Sequence, residues 1–473
     1  HFYAIRMGDR TIGTSSSRLD TVPEGFALQD LTQLDLVAMG EAGQAVVRTS
    51  ATLSQTLRML DFDFQLQSAA GTFDASGVME GDTLLRVRID AGGGGAEEVA
   101  FRVQEAPLVS AMLPIRLAKG GELRVGRTLR FPVFDPSTVS NRVVEVEVLE
   151  SAPFVLVDSA EVDVATGRWA PVREREVPAW RIAERYGGVE VESWIDEDGR
   201  ILRSTSPLGF TLERTEFELA RQARDDDRVR TEGELAAGGV AGDLIFSTAI
   251  QSNVPLDAAE GYDRLRFRLT GVELGGFDLD GGRQRLSGDT LEVTREGWEG
   301  IEPGYSLPYP RMDLREALEP EPLVQSGDPR IREAARAMVR QGGRIPTDPK
   351  VVAERLTRGV HQALRKEVVL ALPSALGVLE SGVGDCTEHT ILYVALARSL
   401  GLPARTAVGL VYLEGAFFYH AWPEVWLGEW VAVDPTFGEA PAGAAHLRFL
   451  TGTLARQVEV ARLIGTLGIE VVE

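Results

Sequence analysis

The chain has 473 residues, a net charge of −22, and 44% apolar against 25% charged residues. That length calls for roughly two to four domains, and the composition is that of a folded chain and not a disordered one. The acidic balance repels a phosphate backbone, and the arginines fall on alternate positions (Arg86 and Arg88; Arg264, Arg266 and Arg268) as on the wet face of a strand, so nucleic acid is excluded as a partner.

From residue 1 to about 230 the dominant period is two. Leu85, Val87 and Ile89 alternate with arginines, and Val144, Val146 and Val148 with glutamates, so each run buries one face of a strand. Turn signals separate the runs at Gly8, at Gly92 to Gly95 and at Asp198-Gly199. A large, mostly antiparallel β region is expected over 1–230, with little helix. It would present a substrate or partner to the C-terminal part, or stabilise that part and space it from a membrane. Residues 228 to 245, rich in Gly, Ala and Glu, read as a connector inside a β-containing linking region over 231–320. Strands are expected at Leu265 to Leu269 and Leu291 to Val293. Prolines 303, 308, 310, 320 and 322 then forbid continuous structure and mark a boundary.

Past Pro322 the period changes, and 321–473 reads as an α+β unit. Asp328 caps a helix with Pro329 in its first turn, and Pro349 opens another along Val352, Leu356, Val360 and Leu364. A short helix around Leu376 and Leu379 ends at Gly382. A longer one runs from Cys386 to Leu400 and stops at Gly401-Leu402-Pro403, its core face supplied by Leu392, Leu396 and alanines. Strands follow in ARTAVGLVY, FFYHAWPEVWL and EWVAVDP, giving helices followed by an antiparallel sheet. No run of about 18 apolar residues is present to form a membrane helix.

Cys386 is the single cysteine, which excludes an intrachain disulfide and a Cys-rich zinc site. A thiol at a helix start meets unpaired N–H groups and the positive end of the dipole, which favour its anion. Gly384 before it permits close backbone approach. His420 lies on a strand and has the chemistry to move a proton between thiol and leaving group. Asp434 ends the next strand, and the Leu427-Gly428-Glu429 turn can set it beside His420 to orient the imidazole. One thiol, one imidazole and one carboxylate in that order read as acyl-transfer groups.

GDCTEHTILYVALARSLGLPAR followed by YHAWPEVWLGEWVAVDPTFG resembles the transglutaminase-like superfamily over about residues 325 to 440. The resemblance implies a papain-like core with Cys386 as nucleophile, His420 as base and Asp434 as orienting acid. It implies thiol-dependent acyl transfer, read here as hydrolysis of a peptide or peptide-like amide in a peptide or protein substrate. Protein–glutamine cross-linking and a binding protein that keeps the triad without turnover are the alternatives. The Cys386 N–H is the expected first oxyanion donor, and Gln362 and Trp298 are candidates for the second. His389 is a weaker rival base and a better packing residue, and Glu388 a helix cap or solvent-facing residue. Cys386 and His389 lack a carboxylate partner for zinc. Trp422, Trp426 and Trp430 are expected to wall the cleft. No phosphate loop or other cofactor motif is present, so no cofactor and no metal are expected. The chain begins His1-Phe2-Tyr3 without Met, which suggests a removed signal peptide or anchor and a bacterial periplasmic location, the cytoplasm being the alternative.

Overall fold

The computed structural model describes residues 1–473 apart from 39, 70, 93–94, 207–208, 238–242, 244, 246–247, 257–258, 368–371, 453–455, 457 and 473. The central part of the expected connector, 238–242, thus lies outside the described residues. The chain divides into two compact units: residues 1–90 with 96–247 and 370–372, and residues 91–95 with 248–369 and 373–473.

The first unit is one fourteen-stranded sheet among the described residues. Strands adjacent in sequence pair antiparallel from Phe2–Met7 to Glu97–Arg102, and again from Thr128–Asp135 to Phe210–Thr215; the pairing of Phe2–Met7 with Phe210–Thr215 joins the two meanders. The alternation read from the sequence is the burial seen: Leu85, Val87 and Ile89 are buried and Arg86 and Arg88 exposed. The two edge strands curl toward each other, since Phe101 and Phe134 meet with ring centroids 5.4 Å apart. A helix, Phe217–Ala236, was not legible in the sequence. Only Ala220 of it is buried, so it shows no apolar stripe to read. Polar bonds hold it to the sheet instead: Arg10 donates to Glu234 at 2.6 Å, Arg224 Nη2 to Asp35 at 3.0 Å, and Thr11 N to Asp227 at 2.7 Å. No helix among the described residues is long and apolar enough to cross a membrane.

The second unit is α+β. Its helices start where the sequence places them. Asp328, Asp348, Ser374 and Asp385 each accept a backbone N–H one turn in, and Pro329 and Pro349 occupy first turns where no donor is lost. The helices Pro329–Val339, Pro349–Ala363 and Ala375–Ser381 pack their apolar faces on Cys386–Ser399 around Ile331, Ala335, Val352, Leu356 and Leu392. That central helix is buried on every side from Glu388 to Arg398, and not on one face as expected; its alanines let neighbours close in all round. Its sheet runs Ile250–Gln251, Ala416–Trp426, Ala404–Leu413, His446–Thr451, with Trp430–Ala432 also paired to Ala416–Trp426. A smaller sheet joins Gln284–Ser287, Thr290–Thr294 and Arg264–Thr270 to the C-terminal strand Gly468–Val471.

Candidate active site

Cys386 is the first residue of the central helix, and the turn before it is built to hold it there. Asp385 accepts from Thr387 N at 2.9 Å, and Glu388 reaches back to accept from Asp385 N at 3.0 Å, a reciprocal capping box. Glu388 is therefore a buried cap and not solvent-facing, and burial with the nearby Asp385 raises its pKa well above the usual carboxylate range. A Cβ on Gly384 would lie 2.2 Å from the Glu388 Cβ. Gly384→Ala is expected to destabilise the protein by about 1–3 kcal/mol, the cost of overpacking, measured by urea unfolding; an unchanged midpoint would contradict this account of the turn.

His420 sits in the long strand Ala416–Trp426, and Asp434 follows Trp430–Ala432, which pairs back on it through Glu424 and Ala432. The hairpin brings the two together: His420 Nε2 donates to Asp434 Oδ2 at 2.6 Å, with both residues buried. Asp434 Oδ1 accepts from Thr436 N at 2.7 Å and Phe437 N at 3.2 Å. Burial would raise the Asp434 pKa, but the charges and hydrogen bonds of His420 and His446 overcome it and hold the carboxyl far below the usual range. Burial likewise works against protonated His420; the Asp434 charge and hydrogen bond, helped by the Cys386 thiol, raise its pKa to about 10. With Nε2 committed to Asp434, Nδ1 is the nitrogen left for the Cys386 thiol, which is partly exposed.

The remaining sequence candidates separate. His389 is buried and donates from Nδ1 to Asp385 O at 2.6 Å; burial lowers its pKa, as suits a neutral packing residue. Trp422 stacks on His420 with centroids 5.9 Å apart. Trp426 and Trp430 instead face each other at 5.5 Å, with Arg405 over Trp430. Of the three tryptophans, only Trp422 walls the imidazole. Gln362 is exposed and Trp298 packs on the helical core beside Lys350. Two residues escaped the sequence reading. His446 Nε2 donates to Asp434 Oδ2 at 2.9 Å. His361 Nδ1 donates to the carbonyls of Pro435 at 3.1 Å and Thr436 at 3.2 Å, beneath the turn that carries Asp434. A signal was present: four of the five histidines lie between positions 361 and 446.

The ligating atoms of His420, Asp434 and His446 lie within 4.8 Å of one another, the reach of a single ion. The His420 and His446 ring nitrogens each stand at hydrogen-bond distance from the same Asp434 oxygen, so the three side chains can satisfy one another as a hydrogen-bonded set.

A thiol on a helix start beside a sheet-borne imidazole and its carboxylate is the arrangement of papain-like thiol enzymes. Residues 346–435 match the model of the transglutaminase-like superfamily, so the second unit carries a transglutaminase-like domain. No curated protein matches the chain. Similar solved structures include a protein of Cytophaga hutchinsonii provisionally assigned as a cysteine protease (16% identity, covering 44% of this chain and 83% of that one, TM-score 0.30). Others are a β-barrel-like domain of unknown function from Brucella abortus (12%, 45% and 94%, 0.30) and the periplasmic domain of TgpA from Pseudomonas aeruginosa (17%, 41% and 82%, 0.26).

Proposed function

We propose that the chain is a thiol hydrolase that cleaves a peptide or peptide-like amide through an acyl-thioester on Cys386. The observation that carries this reading is the buried 2.6 Å bond between His420 and Asp434, which fixes the imidazole with one nitrogen free for the thiol. The Cys386 thiolate adds to the amide carbonyl, and the backbone N–H of Cys386 at the helix start is the donor assigned to the oxyanion. His420 Nδ1–H passes its proton to the departing nitrogen as the C–N bond breaks. Water then attacks the thioester and gives a proton to His420; the acid leaves and the thiolate–imidazolium pair returns. Partial exposure of Cys386 supports water as the acceptor, since cross-linking needs water kept out until an amine arrives.

The test incubates the protein and its Cys386→Ala variant with a peptide library, with and without a primary amine, and reads products by mass. Cysteine-dependent gain of water at cleaved amides is expected. Cysteine-dependent amine incorporation at Gln with loss of ammonia would replace hydrolysis by cross-linking.

A further inference from the structure

We propose that His446 is a positioning residue for this site, a second histidine that shares the carboxylate oxygen orienting His420 and so sets how tightly His420 holds its proton. The inference rests on the reading of Cys386, His420 and Asp434 given above.

His446 opens the strand His446–Thr451 and lies eleven residues beyond the last position of the matched superfamily segment (446 − 435). It is 2% exposed. Its ring meets Trp422 edge-on at 5.3 Å, His420 at 5.7 Å and Phe437 at 6.2 Å. Nε2 donates to Asp434 Oδ2, and no protein group among the described residues pairs with Nδ1. His446 therefore reaches the site through Nε2 alone, as a hydrogen-bond donor to Asp434 Oδ2.

Both Asp434 oxygens are thereby filled. Oδ1 holds two backbone N–H groups, and Oδ2 holds two imidazoles. This has two consequences. The carboxylate cannot rotate without breaking bonds on both sides, which keeps His420 aimed at Cys386. The His446 donor also draws on the charge of Oδ2 and weakens its pull on the His420 proton. The other titratable groups around Asp434 are placed differently: His361 bonds the Pro435 and Thr436 carbonyls, His389 bonds Asp385 O, and Lys366 lies 5.6 Å over the Phe437 ring. None of them is bonded to the shared oxygen.

The test measures the rate of iodoacetamide alkylation of Cys386 against pH, together with peptide hydrolysis, in the protein and in His446→Phe and His446→Gln. Loss of the donor in His446→Phe is expected to move the alkaline limb of alkylation upward by about one unit and to lower kcat roughly tenfold, the worth of one hydrogen bond to a charged group. His446→Gln keeps an N–H donor and is expected to restore the limb to near its original place, which a merely space-filling role would not do. If phenylalanine is not accommodated, His446→Leu removes the donor with a smaller side chain and carries the same expectation. A limb present in the parent protein and unmoved in a folded His446→Phe or His446→Leu overturns the role of His446 alone, as does an equal shift in His446→Gln. A parent protein with no limb removed by His420→Ala overturns the site reading and this inference together.

Discussion

Replacing Cys386 by Ala, His420 by Ala, or both at once is expected to lower amide turnover by one and the same factor, about 10⁴ to 10⁶. The equality is the informative part. In the proposed mechanism the thiol supplies the attacking electrons and the imidazole supplies the proton for the leaving nitrogen, so either group without the other would perform little of the reaction. Independent contributions would multiply in the double variant; groups acting as one unit do not. Turnover of a cleaved library peptide by the three variants decides the matter, with unfolding midpoints recorded alongside. A double variant slower than either single variant by the product of their losses would contradict a shared mechanism.

Changes at Asp434 are expected to damage both stability and rate. Its carboxylate is 0% exposed and accepts four donors, from Thr436 N, Phe437 N, His420 and His446. Asp434→Ala leaves all four without their acceptor and is expected to cost about 3–5 kcal/mol, as when one member of a buried pair is removed. Asp434→Asn keeps the shape but turns an N–H toward donors on one side, and is expected to lower kcat about 10⁴-fold. The stability loss carries a pH signature. Asp434, depressed in the folded protein, contributes above its ordinary value of 3.8 and loses that contribution as pH falls. His420, raised to about 10, contributes fully below its ordinary value of 6.5 and loses it as pH rises toward 10. The gap in unfolding free energy between the parent and Asp434→Ala is therefore expected to be widest between these two ordinary values and to narrow at either extreme. A gap that is flat with pH would contradict an ionised pair.

The parts of this site that were legible in the sequence are those encoded locally. Asp328-Pro329 and Asp348-Pro349 announce helix starts because cap and first turn are adjacent in the chain. GDC places a thiol on a helix start for the same reason, and the hairpin through Leu427 to Glu429 lets His420 find Asp434 only fourteen residues away. What escaped depends on distant partners. The strand Arg264–Thr270 is completed by Gly468–Val471, and nothing near either segment says so. His446 bonds Asp434 because its strand lies beside Ala404–Leu413, a pairing set by the whole sheet. The helix Phe217–Ala236 lacked an apolar stripe and is held by side-chain bonds to residues near the start of the chain. Trp426 and Trp430 were grouped with Trp422 by sequence proximity, but the turn pairs them with each other.

The central claim is that Cys386 is activated by His420, and the chain offers an unusually clean way to test it, because its single cysteine makes every thiol adduct an adduct of Cys386. The measurement is the second-order rate of iodoacetamide alkylation at neutral pH for the protein, for His420→Ala and for a simple thiol. The account predicts that the protein reacts at least about tenfold faster than the simple thiol at neutral pH, that this advantage shrinks as the pH approaches the simple thiol's own pKa of about 8.5, and that His420→Ala loses it. A Cys386 that is reached by the reagent yet reacts no faster than the simple thiol, with His420→Ala indistinguishable from the parent, would contradict it.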